Sequence, residues 1–223
     1  MRGIDRRSLL GAGMIALPMP LSAQSPAPAV PVQRFGATGG ARGTLVLIYG
    51  SDGVTNPGRY HLAAQMLAGL GYTVLMPDYF RATGDSRARY GDIRSKFPDW
   101  LAAIEGVLST LPGGRIGIVG FSLGGALALA LGARNPRVAA VVNFFGFISE
   151  GLERATRLAP TLILHGAADR VVPVSNATAI ERVLASRGVP VELQIYPGEG
   201  HGLSAAAFPD AIARTRDFLQ RNL

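Results

Sequence analysis

The chain has 223 residues, no cysteine and three histidines, and 22 basic side chains against 15 acidic ones give it a formal net charge of +7. The missing cysteines exclude disulfides, thiol catalysis and cysteine metal sites, and three histidines are a poor basis for a zinc hydrolase. Every basic residue except Lys96 is an arginine, and none gathers into a run interleaved with aromatics, so the composition argues for a solvated arginine-rich surface rather than nucleic-acid binding.

The N-terminal segment reads as targeting rather than fold. Arg6-Arg7 stand in Asp5-Arg6-Arg7-Ser8-Leu9-Leu10, an apolar stretch runs to about Leu21, and Leu21-Ser22-Ala23 offers small residues for cleavage. This is the three-part pattern of a secretory leader over 1–23, and the paired arginines point to the twin-arginine route. The expected destination is the periplasm or the exterior. The apolar run is short and broken by Pro18 and Pro20, against a permanent membrane anchor. Residues 24–31 are rich in Pro and Ala and read as an extended linker. Residues 32–223 are then one domain with ample core.

From there strand and helix patterns alternate. Thr44 to Tyr49 is a β-branched and apolar run. Asn56-Pro57 reads as a helix cap followed by a first-turn proline, with Gly71 as the stop. Tyr72 to Met76 is the next strand, closed by Pro77-Asp78. The segment 81–96 reads as the longest irregular stretch, with a net charge of +3. Pro98 to Leu111 carries Trp100, Leu101, Ile104 and Leu108 at helical spacing. Strands follow at Ile116 to Val119, Val138 to Phe145, Thr161 to Leu164 and Val191 to Tyr196, with helices over about Asn176 to Arg187 and Pro209 to Asn222. Strands buried on both faces and separated by helices imply an α/β fold with a mostly parallel sheet, whose sites lie at the C-terminal strand ends.

The stretch Gly120-Phe121-Ser122-Leu123-Gly124-Gly125 stands between an apolar strand and an apolar helix. A Ser flanked by Gly at both i−2 and i+2 on a strand-to-helix turn is a nucleophile elbow. The strand from Thr161 ends in His165-Gly166-Ala167-Ala168-Asp169, and the last strand ends in Tyr196-Pro197-Gly198-Glu199-Gly200-His201. Ser122, Asp169 and His201 therefore occur in the order nucleophile, acid, base. A Ser hydroxyl is a weak nucleophile until a base takes its proton, which is the role expected of His201, with Asp169 orienting the imidazole. The developing oxyanion needs two donors, expected from the backbone N–H groups of Leu123 and of Ser51, with Gly50 as the runner-up. His61 reads as a surface or packing residue, and His165 as a strand-end residue and a weaker rival to His201. Asp78 and Glu199 are rival acids, Asp78 being read as structural. The glycines form neither a dinucleotide fingerprint nor a phosphate-binding loop, so no cofactor and no metal is expected.

With these motifs in place, the chain from about Thr44 to its C-terminus resembles the dienelactone hydrolase family of α/β-hydrolases. The resemblance rests on Leu45-Val46-Leu47-Ile48 with Gly53-Val54, on Gly69-Leu70-Gly71-Tyr72 running into Pro77-Asp78, on Gly120 to Gly125, on His165 to Pro173, and on Gly200-His201 with the C-terminal helix. It implies hydrolysis of a small ester or lactone through an acyl-enzyme. It also implies that Arg81, just past Pro77-Asp78, binds a substrate carboxylate. The chain departs from members that cleave dienelactone, which carry Cys where Ser122 stands, Glu where Gly50 stands, and a second Arg where Leu203, Ser204 and Ala205 stand. An ordinary Ser-His-Asp cycle fits these departures better than a substrate-triggered thiol. A peptidase or amidase on the same triad, and a non-catalytic binding protein on a hydrolase scaffold, stay open at this point. Fifteen residues between Phe145 and Thr161 are too few for a large lid.

Overall fold

The computed structural model describes residues 29–36, 41–54 and 57–223; the leader and most of the expected linker, with Asn56, lie outside the described residues. Among the described residues seven strands form one sheet. In chain order they are β1 (Val32–Phe35), β2 (Thr44–Ile48), β3 (Thr73–Pro77), β4 (Ile116–Phe121), β5 (Val138–Phe144), β6 (Thr161–Gly166) and β7 (Val191–Tyr196), and in space they run β1-β3-β2-β4-β5-β6-β7. All neighbours are parallel except the edge strand β1, which pairs antiparallel with β3. β1 escapes the sequence pattern because Val-Gln-Arg-Phe is mostly exposed and lacks the apolar run of a buried strand.

The helices are α1 (Pro57–Gly69), α2 (Tyr79–Ala82), α3 (Ile93–Thr110), α4 (Leu123–Arg134), α5 (Ser175–Ser186) and α6 (Phe208–Asn222). They lie on both faces of the sheet, and two glycines show it. A side chain at Gly117 of β4 would meet Leu219 and Leu223, whereas one at Gly132 of α4 would meet Val141 of β5. Gly117 registers with Ala140, so Val141 points to the opposite face. α6 and α4 therefore cover opposite faces. α4 is buried from Leu123 through Gly132, as its unbroken Ala-Leu sequence requires.

α3 begins five residues earlier than expected. Pro98 sits in its second turn, where it forfeits one backbone hydrogen bond, and the helical spacing continues upstream through Phe97 and Ile93. The stretch expected to be irregular is thus taken up largely by α2, a 3-10 turn over Tyr90–Asp92 and the start of α3. Asp85 ties it down. Its carboxylate accepts from Trp100 Nε1 and Thr83 Oγ1, each at 2.9 Å, and pairs with Lys96. Burial pushes that carboxyl up, but the bonds from Lys96, Trp100 and Thr83 hold it below the usual value.

Part of the arginine surplus is structural. Arg137 donates to the carbonyl of Leu108 in the last turn of α3 and to those of Leu111, Pro112 and Gly114 beyond it. Arg157 does the same for Gly132, Asn135 and Pro136 around the end of α4, and for Val138 at the start of β5. Cations collecting the orphan carbonyls of a helix C-terminus oppose the negative end of its dipole.

The chain runs from β2 outward to β3, then crosses back to β4 on the other side of β2. The loops after β2 and β4 therefore diverge at a switch in winding direction, which opens a cleft above their C-terminal ends.

Candidate active site

Ser122 occupies that cleft. It has φ 54° and ψ −116°, a conformation a non-glycine residue adopts only when its surroundings force it. The glycines around it explain how the turn closes. A Cβ on Gly120 would stand 2.2 Å from the Gly124 carbonyl oxygen, and one on Gly124 would stand 2.1 Å from that of Ile48. Both obstacles are backbone and cannot move aside.

The expected triad residues come together. Ser122 Oγ lies 3.0 Å from His201 Nε2, and His201 Nδ1 lies 2.8 Å from Asp169 Oδ2. Asp169 Oδ1 accepts the backbone N–H groups of Val171 and Val172 at 2.8 and 2.9 Å. Burial alone would raise the Asp169 carboxyl, but the bonds from His201, Val172 and Val171 outweigh it and hold the group below its ordinary value. A charged acceptor thus faces His201 Nδ1, which favours the tautomer with its proton on Nδ1 and its lone pair on Nε2 aimed at Ser122.

The loops bearing Asp169 and His201 are bound to each other. Ala167 N–H donates to the Tyr196 carbonyl at 2.9 Å and Ala168 N–H to that of Glu199 at 2.8 Å. A Cβ on Gly166 would fall 2.4 Å from the carbonyl oxygens of both Glu199 and Gly200, so only glycine admits this approach. Phe145, with φ 42°, sets its ring edge-on to the His201 imidazole at 5.0 Å between centroids.

His165, read from the sequence as a strand-end residue, is a fourth group against Asp169, a contact not assigned from the sequence. His165 is fully buried, its Nε2 is 2.9 Å from the Val172 carbonyl and 3.3 Å from Asp169 Oδ2, and among the described residues its Nδ1 has no hydrogen-bond partner. A carbonyl only accepts, so Nε2 carries the proton. Burial pushes the imidazole below its ordinary value, against the Val172 carbonyl and the Asp169 charge, so His165 is held neutral. It braces the acid loop from behind and does not reach Ser122. The spacing His-x-x-x-Asp at a strand end is the signal that could have revealed it.

The rival acids are occupied elsewhere. Asp78 accepts from Tyr49 Oη at 2.9 Å and from Arg81 N–H at 3.2 Å, and Glu199 accepts from the Ser204 backbone and hydroxyl. His61 packs against Phe35. On the oxyanion side, Gly50 N–H is spent on Tyr60 Oη at 3.0 Å, which removes the runner-up donor. Ser51 and Leu123 both line the cavity over Ser122, and among the described residues neither N–H has a protein acceptor. Leu123 opens α4, where the first N–H groups have no partner within the helix.

Arg81 is not brought together with the triad. Asp78 caps α2, the helix buries Tyr79 and Phe80, and Arg81 is left exposed at its end. It does not line the cavity over Ser122. That cavity, about 910 Å³, runs between α3, α4 and the segment after β5, and carries Arg94, Arg134 and Arg154 instead. A second cavity of about 400 Å³ lies behind the elbow, walled by Phe121, Phe144, Phe145, Leu62 and Leu203.

Comparison with known proteins follows this geometry. The model of the dienelactone hydrolase family matches residues 44–220. A carboxymethylenebutenolidase of Rhodococcus opacus is 29% identical, the match covering 87% of each chain. A carboxymethylenebutenolidase homolog of Xenopus tropicalis is 27% identical over 70% of this chain and 69% of its own. Among solved structures, a monoacylglycerol lipase of Paleococcus ferrophilus superposes with a TM-score of 0.70 at 17% identity, covering 87% of this chain and 99% of the other. An esterase of Pyrococcus furiosus gives 0.65 at 20% identity, covering 82% and 84%. These structural likenesses concern the fold.

Proposed function

The chain belongs to the dienelactone hydrolase family, a family of α/β-hydrolases, and from that premise we propose that it is a serine esterase that cleaves a carboxylic ester or lactone through an acyl-enzyme. The observation that supports this most directly is the continuous hydrogen-bonded line from Ser122 Oγ through His201 to Asp169. His201 Nε2 takes the Ser122 proton as Oγ attacks the carbonyl carbon. The C=O pair moves onto oxygen, and the N–H groups of Leu123 and Ser51 receive the negative charge. The imidazolium, stabilised by Asp169, then gives its proton to the departing alkoxide as the C–O bond breaks. Water repeats the cycle on the acyl-Ser122 ester and releases the acid. No cofactor enters these steps.

The first experiment is turnover of a short-chain p-nitrophenyl ester by the mature protein beside Ser122→Ala. Loss of the nucleophile lowers kcat by on the order of 10⁴ or more if the triad acts as a unit. Equal slow turnover by both proteins would sink the reading.

Residues 1–23 are proposed as a twin-arginine leader that exports the mature protein to the periplasm or exterior, on the support of Arg6-Arg7 and the apolar stretch to Leu21. Replacing Arg6 and Arg7 by Lys should confine the protein to the cytoplasm in cell fractionation. Unchanged export would remove the twin-arginine assignment.

A further inference from the structure

The cavity over Ser122 is larger than a small lactone needs, and its walls are not uniform. α4 contributes Leu123 at one end and Ala130 and Arg134 at the other. These positions share one helix face, and at 1.5 Å per residue the groove extends about 18 Å from the nucleophile. Between the ends it is walled by Ile93, Phe97 and Pro98 on one side and by Phe147, Ile148 and Leu152 on the other. The lining charges are three arginines against Glu150. Arg94 pairs with Glu150 at 3.3 Å and Arg134 lies 4.0 Å from Glu105, whereas Arg154 has no carboxylate partner among the described residues. Ser149 also lines the groove, 4% exposed, and among the described residues its buried Oγ has no hydrogen-bond partner.

Resting on the esterase reading above, we propose that this groove holds the acyl arm of the substrate, and that the arm is long, apolar along most of its length and anionic at its far end. The orientation follows from proton transfer. The leaving oxygen takes its proton from His201 Nε2, so the alcohol lies toward His201. His201 does not line the groove, and its neighbours Gly202 and Leu203 line the second cavity. The acyl half therefore points away, along α4. Apolar walls favour a methylene chain, and a carboxylate or other anion at its end meets the unpaired Arg154.

The test compares kcat/KM for p-nitrophenyl acetate, p-nitrophenyl decanoate and the mono-p-nitrophenyl ester of decanedioic acid, with Ser122→Ala as the blank. The native enzyme should gain about tenfold or more from acetate to decanoate, because several methylenes leave water. It should gain several-fold again when the chain ends in a carboxylate. Ala133→Trp, at a partly buried groove position near the far end, should cut the ratio of decanoate to acetate by about tenfold, which steric exclusion of several methylenes predicts. Arg154→Glu, an exposed change, should reverse the preference for the carboxylate-ended chain over the methyl-ended one. A flat chain-length profile with Ser122-dependent turnover overturns the groove assignment and leaves the esterase reading standing. Equal rates for the two chain ends overturn the anionic end. No Ser122-dependent turnover of any ester in the series overturns the esterase reading itself.

Discussion

The two sides of Ser122 are built differently. On the base side, the loops after β6 and β7 are joined backbone to backbone, and Asp169 accepts from three directions. On the groove side, the start of α3 and the segment after β5 face each other across open space, and the Arg94–Glu150 pair that joins them has side chains 86% and 70% exposed. The difference matches what each side has to do. A proton passing between Ser122 and His201 requires heavy atoms held within hydrogen-bond reach. An apolar substrate arm requires only a wall, since apolar contact has no direction.

Among changes that leave the triad residues themselves intact, the largest effect should come from breaking the close approach on the base side. Gly166→Ala places a Cβ 2.4 Å from two carbonyl oxygens of the His201 loop, so that loop must retreat from the Asp169 loop. A displacement on the order of 1 Å costs about a hundredfold in rate. We expect kcat to fall by that order while the circular dichroism spectrum stays native. An unchanged kcat would show that the base side tolerates slack after all.

This contrast also sets what could be read from the sequence. Base-side chemistry is written at strand ends as a Gly-flanked Ser on a strand-to-helix turn followed in order by an acid and a His, a pattern that turn formation alone does not require, so Ser122, Asp169 and His201 were legible and stand together. The central strands were legible because burial on both faces leaves an unbroken apolar run. The groove side was not. Pro98 masked the true start of α3, and Arg94 therefore read as part of a loop. Arg81 read as a ligand through family resemblance, but the Asp78 cap turns it outward. Arg134 and Arg154 are two of many arginines, and nothing in their local sequence separates one that lines a groove from one that gathers carbonyls, as Arg137 and Arg157 do.

A smaller effect tests how the base side is braced. His165 is held neutral by burial, below its ordinary 6.5, with Asp169 and His201 the charged or titratable groups facing it. As pH falls below that value the unfolded chain takes up a proton on this residue that the folded chain refuses, so stability is lost in the acid direction. Asp169 has the same sign but acts lower, below its ordinary 3.8. Between about pH 8 and about pH 5 the His165 contribution alone of these two is engaged. The melting temperature should therefore fall across that window, and His165→Gln, which retains an N–H for the Val172 carbonyl, should make the fall shallower. An equally steep fall in the variant would mean that His165 is not the group that takes up the proton.

The smallest effect is on the groove side, where the Arg94–Glu150 pair is the natural counterpart of the His201–Asp169 contact. Both are polar contacts between distant segments, at 3.3 Å and 2.8 Å, but the first stands in solvent and the second on a carboxylate with no exposed side-chain surface. Water screens the exposed pair and offsets most of its attraction, so a double-mutant cycle over Arg94→Ala and Glu150→Ala should give a coupling below about 1 kcal/mol, fading with added salt. A coupling several times larger would mean that the two groove walls are clasped as firmly as the base side, and the contrast between a fixed catalytic edge and a loosely joined substrate wall would fail.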